Sequence, residues 1–350
     1  EYQQVMAQAG ARKLDGSDID PNQIPNSNTD WQEELFTANA PMQSHYIGVE
    51  GGSQKTAFAS SISYFDQQGI IGGDKSRFER YTARLNTRTD VNDVFSWGNT
   101  LTLTHLVTRG VTSNGSFNGA YSSALNLDPL TPVFQTNETL LGQPPYSVEP
   151  VVTDGNGNIY GISQYVAGEV VNPLARLELL NQVVEKDQVL GNLFAQVEPI
   201  DGLQFKTSLG VDVSYLDISS YQPLYFLTGT FNNTATTNMG QQIQRNSVLQ
   251  WENTANYVKE IGNHRFNVLV GTTTLDNNWQ VLSGGGQGID TSNPNLIYLN
   301  LTVDSTQTSG GTASRTTRAS IFSRLLYDYN DRISFSATQR RDGSSNFGTN

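Results

Sequence analysis

Residues 203–215 alternate strictly in character. Leu203, Phe205, Thr207, Leu209, Val211, Val213 and Tyr215 fall on one side, and Gln204, Lys206, Ser208, Gly210, Asp212 and Ser214 on the other. A period of 2 held over this length belongs to a two-faced strand, because a helix would scatter the same residues around its axis. The pattern recurs. Tyr81, Ala83 and Leu85 alternate with Arg80, Thr82, Arg84, Asn86 and Arg88. Phe95, Trp97, Leu101 and Leu103 oppose Ser96, Gly98, Thr100, Thr102 and Thr104, and Leu249, Trp251, Ala255 and Tyr257 oppose Gln250, Glu252, Thr254 and Asn256. The spacing predicts strands near 44–51, 56–65, 77–88, 94–107, 187–198, 203–216, 243–258, 265–281, 317–329 and 333–342.

The connections between these strands alternate in length. Short turns fall at Gly52-Ser53-Gln54-Lys55, Asp90-Val91-Asn92-Asp93, Pro199-Ile200-Asp201-Gly202, Glu260-Ile261-Gly262-Asn263 and Asn330-Asp331. Long segments separate them at 66–76, 108–186, 217–242 and 282–316. Strands long enough to cross a bilayer at a tilt, short turns on one rim and long loops on the other predict an antiparallel transmembrane β-barrel. A soluble sandwich hides one strand face in a core and rarely needs strands of this length. The alternative of a different class is a secreted or surface β-rich carbohydrate-binding or adhesion protein. Strand length and the one-sided long loops speak against it.

Composition agrees. Lys and Arg number 21 against 33 Asp and Glu, a net charge of −12, which opposes binding to nucleic acid. Only 15% of residues are charged and the 350-residue chain has no Cys, so disulfide frameworks and thiolate metal or redox sites are excluded. In a membrane strand only alternate residues meet lipid, so a polar average composition does not argue for a soluble protein.

No motif points to catalysis or a cofactor. His45, His105 and His264 lie in or beside separate strands, without the i, i+4 pairing and glutamate of a zinc hydrolase. No Gly-x-Ser-x-Gly nucleophile elbow occurs. Gly284-Gly285-Gly286-Gln287-Gly288 lacks a following helix start, so it reads as flexible loop and not as a phosphate cradle. Asp154-Gly155-Asn156-Gly157-Asn158 begins like a calcium loop, but Ile159 and Tyr165 stand where the turn glycine and bidentate glutamate belong, which leaves a surface turn. Within 108–186 the run Ala124-Leu125-Asn126-Leu127-Asp128-Pro129 predicts a short helix stopped by proline, and Asn172-Pro173-Leu174-Ala175 predicts a capped helix start. Residues 1–43 are polar, with one amphipathic helix carried by Tyr2, Val5, Met6 and Ala9.

An ordered set of short motifs goes further. Thr29-Asp30-Trp31-Gln32-Glu33-Glu34-Leu35-Phe36 leads into a strand ending Gly48-Val49-Glu50-Gly51-Gly52-Ser53, and the return strand reads Tyr64-Phe65-Asp66-Gln67-Gln68-Gly69-Ile70. Asn172-Pro173-Leu174-Ala175 follows, and finally Arg340-Arg341-Asp342-Gly343-Ser344-Ser345-Asn346-Phe347-Gly348. In this order and spacing the series resembles the SusC/RagA family of TonB-dependent outer-membrane transporters.

The resemblance implies an all-β, partial barrel: about ten strands of a plugged barrel of about 22. Residues 1–43 become an extracellular loop segment and 44–350 the partial barrel wall, with 108–186 its long extracellular loop. The family's signal, TonB-contacting segment, plug and C-terminal strands are expected to lie outside this stretch, making it an internal fragment. The implied activity is import of oligosaccharides or peptides across the outer membrane of a Gram-negative, Bacteroidetes-like cell. TonB, acting through the plug segment, and a SusD-like surface lipoprotein are the implied partners, with outer-membrane lipid around the wall and no cofactor. Loop aromatics become candidate substrate contacts: Tyr121, Tyr146, Tyr160, Tyr165, Tyr221, Tyr225, Phe226 and Trp279. Arg80, Arg84 and Arg88 become lumen-facing partners for plug carboxylates, and Trp31, Trp97, Trp251 and Trp279 candidates for interfacial girdles.

Overall fold

The structure, a computed structural model, describes residues 1–21, 27–111, 119–179, 181–289 and 297–347. Among them ten strands pair into one antiparallel sheet in which neighbours in sequence are neighbours in space. They are β1 (Met42–Gly52), β2 (Thr56–Gly69), β3 (Gly73–Asp90), β4 (Phe95–Arg109), β5 (Asn181–Ile200) and β6 (Leu203–Gln222). A two-stranded ribbon, β7 (Tyr225–Phe226) and β8 (Asn232–Asn233), interrupts the series before β9 (Asn238–Ile261), β10 (His264–Gln287), β11 (Thr308–Tyr329) and β12 (Ile333–Ser344). No helix among the described residues is long and apolar enough to cross a membrane.

The tight turns sit where the sequence places them. Gly202 turns β5 into β6 at φ +80°, with a Cβ position only 2.2 Å from the Val258 carbonyl oxygen, so no other residue fits without displacing β9. Asn330 and Asp331 both have positive φ (51° and 54°), the requirement of a type I′ hairpin whose twist matches that of its strands.

At the opposite rim the strands run several residues further than alternation predicts. β9 and β10 stay in register up to Asn238 and Gln287. The predicted long segment 66–76 is also mostly paired strand, since β2 and β3 continue to Gly69 and Gly73. Outside a bilayer nothing demands an apolar face, whereas backbone pairing remains favourable, so the ladder outlasts the pattern. The Gly284–Gly286 run is likewise strand and not loop. Gly284 and Gly285 are paired with both β9 and β11 and Gly286 with β9, and a Cβ on Gly286 would lie 2.3 Å from the Thr302 hydroxyl. The missing side chains let residues 299–302 lie against the strand.

Register sorts the side chains of the sheet into two faces. On the outer face Ile47, Ile62, Ala83, Leu103, Val189 and Val213 form one cross-strand row. A second row joins Leu193, Leu209 and Trp251. Most of these large apolar groups are uncovered: Ile47 is 79% exposed, Ile62 67%, Leu193 51% and Trp251 54%. No second sheet covers them among the described residues. In water such a continuous apolar face has no counterpart in a folded monomer; against lipid it is the ordinary state of a barrel wall.

The packed core lies elsewhere. α2 (Trp31–Leu35), α3 (Ala120–Asn126) and, beyond the single turn α4 (Glu138–Leu141), α5 (Pro173–Glu178) bring together Trp31, Leu35, Ala120, Ala124, Leu127 and Leu177. A second cluster joins Val152, Tyr160, Val171, Ala175, Tyr225 and Leu227, and Val133 and Leu174 touch both. Segments from residues 27–41, 119–179 and 223–237 thereby form one cored assembly at the long-loop rim. The start of α5 is the one the sequence predicts: Asn172 caps it through the Leu174 and Ala175 N–H groups, with Pro173 in the first turn. The amphipathic stretch near the N-terminus is α1 (Tyr2–Gln8), although Gln3 is its buried residue.

Candidate functional site: a two-faced wall and a loop cleft

At the upper edge of the outer apolar face, His45, Tyr64, Tyr81, His105 and Asp187 occupy successive positions of one cross-strand row. His45 stacks on Tyr64 (6.3 Å between ring centroids), and Tyr64 meets Tyr81 (4.9 Å) and Tyr81 meets His105 (6.2 Å) at a tilt. The His105 ring then meets the Asp187 carboxylate at 2.8 Å. One register step further out the face turns ionic: Arg77 forks onto Asp66 (2.7 and 3.0 Å), Gln43 donates to the same carboxylate (3.0 Å), and Glu79 bridges Arg77 and Arg109. Apolar wall, then amphipathic rings, then charge is the order a membrane boundary imposes. A second ring cluster, His264, Phe266, Tyr327 and Tyr329, lies at the short-turn rim on the same face, with His264 hydrogen-bonded to the Tyr327 hydroxyl (2.8 Å). All three histidines thus belong to interfacial ring clusters.

Of the four tryptophans considered for such girdles, Trp97 and Trp251 lie on the outer face, the latter donating to the Thr207 hydroxyl (2.9 Å). Trp31 does not. It is 3% exposed in the loop core and its indole N–H donates to the Asp128 carbonyl (2.8 Å). Trp279 sits on the inner face of β10, opposite Asn246 and Ser314.

The inner face is polar and internally bonded. Ser208, Glu252, Thr273, Ser320 and Asp342 make one row across five strands. Asn192 donates to Ser208 (2.7 Å), Thr273 to Glu252 (3.0 Å), and Arg340 to Asp342 (2.9 Å), which also accepts from Ser320. Arg80, Arg84 and Arg88 share this face on β3. Arg80 lies over the rings of Phe65 (5.6 Å) and Phe78 (5.9 Å), Arg88 faces Asp90 (3.4 Å), and Arg84 borders a recess of about 420 Å³ beside Tyr46 and Glu50.

The loop aromatics separate into three groups. Tyr160 and Tyr225 are 6% exposed and belong to the core. The Tyr160 hydroxyl donates to Glu178 (2.9 Å), which also holds Lys75 (2.6 Å). Burial first, then that hydrogen bond and the carboxylate charge, push the Tyr160 phenol well above its ordinary range. Tyr121 is 39% exposed on α3 and packs edge-on to Phe36, and Tyr165 and Tyr221 are half-buried. Tyr146 and Phe226 meet in a cleft of about 650 Å³ walled by residues 13–15, 140–146, 162–168 and 226–230. The Tyr146 hydroxyl accepts the Ile162 N–H (2.7 Å), which fixes the ring in the wall. Alternation in sequence carries no signal for this cleft, because its four walls are irregular segments brought together by the loop core. Asp154 makes the expected turn, accepting from the Asn156 and Asn158 N–H groups (2.9 and 2.8 Å) and the Asn158 amide. These bonds hold its carboxyl below the usual range.

Comparison with known proteins fits this geometry. No family model matches the chain. The TonB-dependent receptor P3 of Formosa agariphila is 26% identical over 337 residues, which cover 93% of this chain and 30% of that protein. The TonB-dependent receptor SusC of Bacteroides thetaiotaomicron is also 26% identical, covering 97% of this chain and 32% of SusC. The chain therefore spans about a third of the length of these curated relatives. Among solved structures, the RagAB peptide importer in its open-open state superposes with a TM-score of 0.72 at 26% identity, over 93% of this chain and 34% of that one. Sequence and fold together make the chain a homologue of the SusC/RagA-type TonB-dependent receptors, built as part of their barrel wall.

Proposed function

We propose that this chain forms part of an outer-membrane importer that takes up oligosaccharides or peptides with energy from TonB and with a SusD-like surface lipoprotein as partner. The observation that carries the reading is the two-faced wall: a bare apolar outer face edged by ring clusters, and a hydrogen-bonded polar inner face. Receptor and importer names among the relatives support it, and RagAB is named as a peptide importer. In this reading residues 44–350 belong to the barrel, and the segments 1–43 and 108–186 stand outside the cell. Arg80, Arg84 and Arg88 face a plug in the lumen. Among the loop aromatics, Tyr146 and Phe226 in the cleft and the partly exposed Tyr121, Tyr165 and Tyr221 are the cargo contacts. The protein is a transporter and not an enzyme.

The test is uptake of labelled oligosaccharides and labelled peptides by cells that carry the full-length protein, with TonB present or deleted. Uptake of one class that vanishes with TonB is expected. Surface retention of the label without entry, equal in both strains, would instead make the protein a binding or adhesion protein.

A further inference from the structure

We infer that the loop cleft is a peptide site, taking a short peptide with apolar side chains in preference to a carbohydrate. The inference rests on the import reading and names its cargo class. Apolar groups from three separate walls face the space: Leu14 from the first, Leu140, Pro145 and Tyr146 from the second, and Ile162 from the third, with Phe226 closing the fourth side. The volume lies within the ordinary range of ligand sites, about 300–1,000 Å³.

The hydroxyl groups of Thr228, Ser163 and Tyr146 on these walls are already committed. Thr228 donates to the Gly168 carbonyl (2.8 Å) and accepts the Phe231 N–H (2.9 Å). Ser163 donates to Asp128 (2.5 Å) and accepts from Tyr165 and Val166, and Tyr146 takes the Ile162 N–H. What remains are the Thr230 hydroxyl, which has only a 3.4 Å contact to Thr228, two carboxamides, Gln143 and Gln164, with no side-chain partner among the described residues, and the opposite charges of Lys13 and Asp15 at one lip.

A sugar ring carries a hydroxyl on most of its carbons, and each must exchange water for a protein partner on entering. This cleft has most of its hydroxyls already spent and apolar groups on all four walls. Two of the broad aromatic faces that would stack a sugar, Tyr160 and Tyr225, are sealed in the loop core. A peptide asks for what is present: amides that donate and accept in pairs, apolar walls for side chains, and a lip of both signs for a charged terminus.

The test is calorimetric titration of the full-length protein in detergent with an equimolar library of tetrapeptides of Ala, Leu, Val and Phe, with maltotetraose as competitor. Saturable peptide binding that maltotetraose does not displace is expected. Leu14→Arg, at a position 54% exposed and so tolerant of the change, should weaken it at least tenfold, and Gln164→Ala several-fold, both with unaltered thermal unfolding. Maltotetraose binding that is lost in Leu14→Arg, or peptide binding indifferent to both variants, overturns the inference. Cleft-dependent peptide binding without TonB-dependent uptake supports the cleft and removes the import reading. Peptide uptake unaffected by either variant does the reverse.

Discussion

Arginine at Leu209 probes the wall where the account is most exposed. Leu209 is the middle of the alternating run 203–215, faces outward, and lies between Leu193 and Trp251 on the neighbouring strands. At about 3.3 Å per residue and a strand tilt near 40°, the run rises roughly 30 Å. That places Leu209 about 15 Å from either end, near the middle of an apolar band about 25 Å tall. A guanidinium there costs about 2–4 kcal/mol, falling to about 0–1 near the interface. Leu209→Arg should therefore lower the folding equilibrium constant roughly 30- to 700-fold. Tyr215→Arg, at the end of the same run and opposite the native Arg245, should lower it by no more than roughly fivefold. Gln250→Arg supplies the control, since Gln250 sits across from Gly210 on the inner face, one residue from outward-facing Leu249. The assay is urea unfolding of the full-length protein in lipid vesicles, read by tryptophan fluorescence. Equal losses at Leu209 and Gln250, or no loss at Leu209, would refute the division of faces.

Other consequences concern the loop assembly. Trp31→Ala empties the centre of its core and should cost about 3–5 kcal/mol, seen as proteolysis confined to the loops while the wall stays resistant. Asn172→Ala removes the α5 cap and two buried donations, to the Val133 and Gly161 carbonyls, and should cost about 2 kcal/mol in denaturant titration. The raised Tyr160 phenol stabilises the assembly fully below its unfolded value near 10, and that contribution is lost as pH climbs toward the higher folded value. Loop protection from protease should therefore decline above pH 10, and less so in Tyr160→Phe; identical profiles would contradict this. Gly286→Val should raise hydrogen exchange at residues 299–302 and leave β10 paired.

The wall was legible because lipid on one side and a polar lumen on the other force a period of 2, as in 203–215. The rim ends of β9, β10 and β11 were not, because beyond the membrane both faces are polar and only the backbone pairing continues. For the same reason Gly284–Gly286 resembled a loop while lying in a strand. Trp31 resembled a girdle residue because the loop core that buries it is assembled from distant segments, and no local periodicity announces it. Arg80, Arg84 and Arg88 share one face of β3 in the register, as their even spacing in sequence implies. The cleft joining Tyr146 and Phe226 depends on tertiary packing, so sequence supplied its aromatics without showing which of them meet.

Single cysteines carrying spin labels can be placed one at a time from Lys206 to Val213, a stretch of a chain that has no cysteine of its own, with any cysteine elsewhere in the full-length protein replaced by serine. Collision with dissolved oxygen, which concentrates in lipid, and with a water-soluble nickel chelate should then be measured for the full-length protein in bilayers. Labels at 207, 209, 211 and 213 should favour oxygen, and those at 206, 208, 210 and 212 the chelate or neither. Uniform access to the chelate, or no alternation between neighbours, would contradict a membrane wall and the importer built on it.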